Sequence, residues 1–434
     1  MRLIYNIVFM LAAAAGFPVM LCAVVLSEKR RKTFLKRLFP TVPECVRSGA
    51  GSDGRGKRPI WIHALSVGEV LSAVPLVRSA ARKWPDRKIV FSASTRTGYA
   101  TACERLRTDI DGLFYFPYDV MPSVRYAIRK IRPHAVMLVE SDIWPNFLAE
   151  SGKCHVPVFW VNARMSDRSF RRYRRIPGVP RYLFSHFTTI CAQTREDARR
   201  LQQLGVAPGK ISVTGNIKFD QPVEPVSDRQ LTDIRKRFDI GTRRILVAGS
   251  THKGEERLLA DALVQIRQSH PDLLMMVAPR DPGRGVSAAR VFESAGFQTT
   301  LWTADVGRKS RPAVGPDVIV VDTLGILKIL YALSDITFVG GSLVPLGGHN
   351  PLEPASYSKP VLFGPCMNDF ARISSMLLDA GGARRVRDVR SLTESIGMFL
   401  ADETLRVDTG ARASRVFRAH QGAVENTLRR IKAS

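Results

Sequence analysis

Residues 336–354, ITFVGGSLVPLGGHNPLEP, bring two glycine pairs, a serine, a histidine, an asparagine and a glutamate into one short stretch. A β-branched run ending in Gly340-Gly341-Ser342, a second pair at Gly347-Gly348, and then His349-Asn350-Pro351-Leu352-Glu353 read as strand, open loop and helix start. Glycines let the backbone come close to a ligand, and the N–H groups of a helix start favour an anion. Gly341, Ser342, Gly348 and His349 are therefore candidate phosphate contacts. Glu353, one turn further on, can accept hydrogen bonds from a ribose diol, so loop and carboxylate together suit a nucleotide. A plain glycine-rich turn, with Glu353 complementing a helix dipole, explains a single glycine pair. It explains two pairs beside Ser, His, Asn and Glu less well.

Other polar clusters follow apolar runs in the same manner. After IWIHAL comes Ser66-Val67-Gly68-Glu69, spaced as a capping box, and spacing alone favours that reading. The functional alternative makes Glu69 a general base. Thr95-Arg96-Thr97-Gly98 is either an N-cap or a seat for an acceptor phosphate. Glu140 ends the apolar run AVMLVE and opens the cluster Glu140-Ser141-Asp142, where an acid is costly unless paired. It suits either a structural ion pair or a functional site. Lys218, in GNIKFD, is a cation near a change of pattern, and Arg280 after Pro279 offers the planar fork suited to phosphate oxygens. Asp322 to Ile326 gives backbone groups that could edge a base. The stretch NARMSDRSFRRYRR (162–175) is either a solvated basic face or a phosphate clamp.

The elements that must position these groups are legible as alternation. Short apolar runs at 60–65, 88–94, 113–117, 135–140, 156–163, 187–193 and 211–216 alternate with amphipathic stretches. After FDQPVEPVSDRQ the pattern restarts at 244–250, 273–279, 318–322, 336–342 and 360–364. Strands and helices of these lengths predict an α/β fold with parallel sheets covered on both faces, built as two domains. Helical segments are expected near 390–401 and 411–431. In open sheets of this kind ligands collect beyond the carboxyl ends of strands, where all of these clusters fall.

The formal charge is +26, and residues 1–220 carry 36 Lys/Arg against 16 Asp/Glu, so the first half faces something acidic. Nucleic acid is the weakest candidate, because the aromatic residues fall mostly in strand-like runs rather than on a basic face. The six cysteines show no paired spacing of a zinc or redox motif and read as reduced thiols. Residues 3–26 are apolar apart from Asn6 and are followed at once by Lys29, Arg30, Arg31, Lys32, Lys36 and Arg37. That order predicts a retained membrane anchor with the bulk of the chain on the cytoplasmic side. Gly16-Phe17-Pro18 leaves open a segment that only enters the membrane. The expected layout is thus an anchor at 1–27, a basic linker at 28–58 and domains at 59–222 and 223–434.

These motifs resemble the 3-deoxy-D-manno-octulosonic acid (Kdo) transferases of lipopolysaccharide synthesis. The resemblance rests on WIHALSVGEVLSAVPLVR, LVESDIWPN, VNARMS, TGNIKFD, GSTHKGEE, APRDP, DTLGILKILY and FVGGSLVPLGGHNPLEPA, in this order. It implies a GT-B architecture, two Rossmann-like domains facing across a cleft. The implied reaction moves Kdo from CMP-Kdo to a lipid A precursor (lipid IVA) at the inner membrane, with inversion and without a metal or other cofactor. It further implies that Glu69 is the general base and that Glu140 and Lys218 stabilise the transition state. Pro279-Arg280, Leu324-Gly325-Ile326 and Asn350 to Glu353 match positions that hold CMP. Asp142 departs from the family, which commonly has Glu there, and Leu65 replaces a smaller residue. A GT-B epimerase or a transferase for another nucleotide sugar is the alternative.

Overall fold

Strands such as IWIHA and AVMLV are apolar on both faces, so they need cover on both sides, and the helices between them supply it. The computed structural model describes residues 5–6, 28–43, 57–140, 143–304 and 315–431. The chain divides into two units: the first runs to Pro222 and takes in the chain again from His420, and the second is Val223–Ala419.

In the first unit β1 (Ile60–Ala64), β2 (Ile89–Ala93), β3 (Gly112–Tyr115), β4 (Ala135–Val139), β5 (Val158–Ala163), β6 (Thr189–Ala192) and β7 (Ile211–Val213) form one sheet. Its order is β3-β2-β1-β4-β5-β6-β7 and every pairing is parallel. Trp61, Val90 and Val136 turn to one face, and Ile60, Ile62 and Phe91 to the other, each face with its own apolar core. The second unit repeats the scheme with β8 (Ile245–Thr251), β9 (Leu274–Pro279), β10 (Thr299–Leu301), β11 (Val318–Val320), β12 (Ile336–Val339), β13 (Val361–Phe363) and β14 (Ala383–Arg385). These are ordered β10-β11-β9-β8-β12-β13-β14, again all parallel.

Three features depart from the sequence expectation. The edge strands β10 and β14, three residues each, were not among the predicted runs. The C-terminal helix Ala423–Arg430 does not close the second domain. Ala423, Val424, Leu428 and Ile431 enter the core of the first unit, and Asp220 accepts the N–H groups of Gly422 (2.6 Å) and Val424 (2.5 Å) at its start. Residues 28–38, expected as basic linker, form a helix. Arg37 Nε donates to Phe116 O (2.9 Å) and the Phe34 ring lies 5.4 Å from that of Tyr118, so the segment is docked on the first unit.

The expected anchor at 3–26 lies outside the described residues apart from Tyr5 and Asn6, as do 44–56 of the linker. Among the described residues no helix is long and apolar enough to cross a membrane.

Candidate active site

A parallel sheet in which neighbouring strands lead their chains in opposite directions leaves a crevice at their carboxyl ends. In the first sheet that switch falls between β1 and β4, and in the second between β8 and β12. Glu69 follows β1 and Glu140 follows β4; His252 follows β8 and the glycine loop follows β12.

Glu69 lies in the first turn of helix Val67–Lys83 and is 7% exposed. The capping box is not formed, because Ser66 makes no side-chain cap bond and the Glu69 carboxylate reaches one residue further back. Its Oε2 accepts the N–H of Leu65 at 2.6 Å. The neighbouring loop is tied to the same turn: Thr95 N–H and Oγ1 both donate to Leu65 O, at 3.1 and 3.2 Å. Thr95 caps its own helix by accepting Gly98 N–H (3.0 Å), so the cap reading holds there. A Cβ on Gly98 would stand 3.2 Å from Leu65 O, so glycine lets these loops meet.

Glu140 and Lys218 are brought together. Lys218 Nζ is 3.2 Å from Glu140 Oε1, and both side chains are 19% exposed. Asn162 Nδ2 donates to the same oxygen (3.1 Å), while Asn162 Oδ1 accepts Ile217 N–H (3.1 Å), one residue before Lys218. Glu140 and Asn162 both have left-handed backbones, φ +61° and +57°, just beyond or at the ends of β4 and β5. A non-glycine residue in such a conformation costs about 1–3 kcal/mol, and the surrounding bonds hold it. Trp160 Nε1 donates to Glu140 O (2.5 Å) and Glu140 N–H to Val161 O (2.9 Å), which aims the carboxylate. The cation that pairs with Glu140 is thus a lysine. Ser141 and Asp142 lie outside the described residues. The basic stretch after Asn162 forms an exposed helix, Asp167–Arg174, with no buried residue.

In the second unit the glycine loop has its expected shape but not its expected occupant. The N–H groups of Gly341, Ser342 and Leu343 do converge on an anion, and it is the carboxylate of Glu255. Oε2 accepts from Gly341 (2.7 Å), and Oε1 from Ser342 (2.9 Å) and Leu343 (3.0 Å). Ser342 is itself buried, its Oγ donating to Val339 O and accepting Gly364 N–H. The assignment of Gly341 and Ser342 to a ligand phosphate is therefore corrected: their donors are already spent on an internal carboxylate. Nor does the following helix offer an open start. Leu352–Ser356 is a single turn, and Asn350 Oδ1 accepts the N–H of Leu352 (3.1 Å).

His349 pairs with His252, Nε2 to Nε2 at 2.8 Å, the rings stacked 5.1 Å apart. Burial, then the Arg280 guanidinium, then the His252 imidazole lower the His349 pKa to about 4, so at neutral pH this ring is uncharged. Arg280 is exposed at the end of β9, with its N–H bonded to Thr251 O (2.9 Å). Asn350 Nδ2 lies 3.5 Å from Glu353 Oε1. Loop 322–326 stays open: Leu324 is 70% exposed, Gly325 has φ +90°, and Ile326 leads into helix Leu327–Leu333. Gly348 (φ +75°) and Pro351 are buried within the loop that presents His349 and Asn350.

In the sequence His252 stands out only within the polar cluster Ser250-Thr251-His252 after a strand, and Asn162 and Glu255 only inside longer motifs, none with a role of its own. Asn162 carried one usable signal, an asparagine at a strand end, where it tolerates a left-handed backbone better than most residues. Glu255 showed only its place in GSTHKGEE, because apart from the His252 N–H its partners lie 86 to 88 residues away.

Two parallel-sheet units with these switch points are the fold of nucleotide-sugar epimerases and of GT-B glycosyltransferases. UDP-GlcNAc 2-epimerase from Neisseria meningitidis, solved bound to UDP-GlcNAc, is similar at a TM-score of 0.58 and 12% identity, over 86% of this chain and 100% of that one. A glycosyltransferase from Rickettsia africae is similar at a TM-score of 0.56 and 12% identity, over 86% and 96%. Sequence narrows the class. The 3-deoxy-D-manno-octulosonic acid transferase of Haemophilus influenzae is 31% identical over 421 residues, 96% of this chain and 95% of that one. That of Bordetella pertussis is 30% identical over 390 residues, 88% and 89% of the two chains. The family model described as 3-Deoxy-D-manno-octulosonic-acid transferase (kdotransferase) matches residues 42–221. The chain belongs to the Kdo transferase family.

Proposed function

We propose that this glycosyltransferase moves Kdo from CMP-Kdo to the lipid A precursor lipid IVA, with inversion at the anomeric carbon, in lipopolysaccharide synthesis. The observation that carries the reading is the near end-to-end relationship to the Haemophilus influenzae enzyme, 96% of this chain at 31% identity. The two units are read as those of a GT-B enzyme, the first taking the acceptor and the second the donor nucleotide.

The roles follow from the chemistry of each group. Glu69 takes the proton of the acceptor hydroxyl, and the bond from Leu65 N–H to its Oε2 orients the carboxylate. As the bond to CMP breaks, positive charge develops at the anomeric carbon and negative charge on the departing phosphate. Glu140 and Lys218 answer these charges with a carboxylate and an ammonium, a reading supported by their 3.2 Å pairing. Arg280 and Pro279, Leu324 to Ile326 and Asn350 to Glu353 surround CMP, with Gly348 and His349 supporting the last segment. The basic first unit and an anchor at residues 3–26 hold the enzyme at the cytoplasmic side of the inner membrane, where a phosphorylated glycolipid presents its headgroup.

Mass analysis of the glycolipid after incubation with CMP-Kdo and the tetra-acylated disaccharide precursor tests this. A product heavier by one or more Kdo residues is expected. No mass increase with CMP-Kdo, or turnover of UDP-sugars instead, overturns the reading.

A further inference from the structure

Glu255 is 0% exposed, and a carboxylate so buried is tolerated only where donors replace water. Its donors are backbone N–H groups from two different loops: His252 after β8 (3.0 Å), and Gly341, Ser342 and Leu343 after β12. A nest of successive N–H groups is an anion site, and here the anion is part of the chain. The consequences run to His349 by two routes. The carbonyls of Gly340 and Gly341 accept the N–H groups of His349 (3.1 Å) and Gly348 (2.8 Å), so fixing Gly341 fixes the returning arm of the loop. The His252 backbone held by Glu255 also carries the imidazole that lies 2.8 Å from that of His349.

We propose that Glu255 is a positioning residue for the donor site, a built-in anion that shapes the glycine loop so that His349 and Asn350 are presented to the CMP moiety. The loop is then a scaffold filled from within and not the seat of the donor phosphate, which falls to Arg280 and the open loops beside it. The inference rests on the reading of the second unit as the donor-binding unit. It adds the residue that organises that site and removes the N–H groups of Gly341 and Ser342 from the ligand contacts.

The test uses the full chain and CMP in isothermal titration. Glu255→Ala empties the nest, and CMP affinity is expected to fall about 10- to 100-fold, the scale of a lost set of charge-assisted hydrogen bonds. Formate, a carboxylate small enough for the vacated nest, is expected to return most of that affinity, while chloride at equal ionic strength does not. A variant that is merely damaged would not respond to formate in this selective way. Wild-type affinity in a folded Glu255→Ala chain overturns the proposal, and so does a loss that formate fails to reverse. Should the alanine variant not fold, Glu255→Gln keeps the shape and carries the decision: weakened CMP binding supports the proposal, unchanged binding sinks it. Absence of CMP binding by the unaltered chain is a different result, which defeats the donor-unit reading itself.

Discussion

Lys218 Nζ stands 3.2 Å from Glu140 Oε1, in a first unit whose sequence separates the two residues by three strands, β5 to β7, and the helices between them. Asn162 completes the arrangement by bonding the carboxylate with one side-chain atom and the Ile217 backbone with the other. The pair is held from both sides, by a strained strand end under Glu140 and by an Asn216 side chain that accepts Lys218 N–H at 3.0 Å.

If this pair serves the transition state, Lys218→Met should lower turnover about 10²–10³-fold, the usual loss for one preorganised electrostatic contact, with CMP affinity nearly unchanged. The variant also leaves Glu140 without its cation, a cost of about 1–2 kcal/mol for a site with some solvent access. Glu140→Gln combined with Lys218→Met should recover melting temperature but not turnover. Recovery of both would reduce the pair to a structural bridge.

Glu69→Gln should abolish transfer, by about 10²–10⁴-fold, while calorimetric CMP binding stays intact, because the amide retains the acceptor for Leu65 N–H but cannot take a proton. Near-normal turnover in this variant defeats its assignment as the base.

His349 supplies a pH dependence of stability. Its pKa is near 4 in the folded chain against 6.5 for an unperturbed histidine, with burial the largest cause. Between those values the unfolded chain binds more protons than the folded one. The His349 contribution to stability is therefore complete above pH 6.5 and declines as pH falls towards 4, by about 3 kcal/mol in total. Urea unfolding at pH 7, 5.5 and 4.5 should show this decline flattened in His349→Asn; an equal slope in both proteins would place its origin elsewhere.

Gly249 in β8 admits the Tyr331 ring, since a Cβ there would lie 2.0 Å from the tyrosine oxygen. Gly249→Ala should destabilise the protein by about 1–3 kcal/mol, the cost of overpacking a filled interior, and addition of Tyr331→Phe should recover part of it. Thermal melting that does not respond to either change would contradict the packing described for this strand.

Much of this was legible in the residues. Twelve apolar runs became twelve strands, most of them buried on both faces and therefore apolar throughout. β10 and β14 were not legible in this way, since a three-residue edge strand such as ARR, with two exposed arginines, owes its state to its neighbour and not to its own composition. Glu140 and Lys218 could be singled out separately, one for its costly place at the end of an apolar run and the other for its position near the change of pattern. The loop at 340–349 was legible as an anion nest, but nothing local reveals that a glutamate 86 residues earlier fills it. The amphipathic pattern of the last helix was legible as well. Which core it joins depends on the tight approach of Ala423 to Gly215, where an added Cβ would stand 3.0 Å away, and that is a property of the fold.

The return of residues 420–431 to the first unit has a practical corollary for dissecting the enzyme. A fragment cut after Pro222 would lack Ala423, Val424, Leu428 and Ile431 from its interior, and the complementary piece would carry them as a greasy, unmatched appendage. Independent production of the second unit should therefore stop at Ala419, and the first becomes whole only when the excised tail is spliced back or supplied as a peptide.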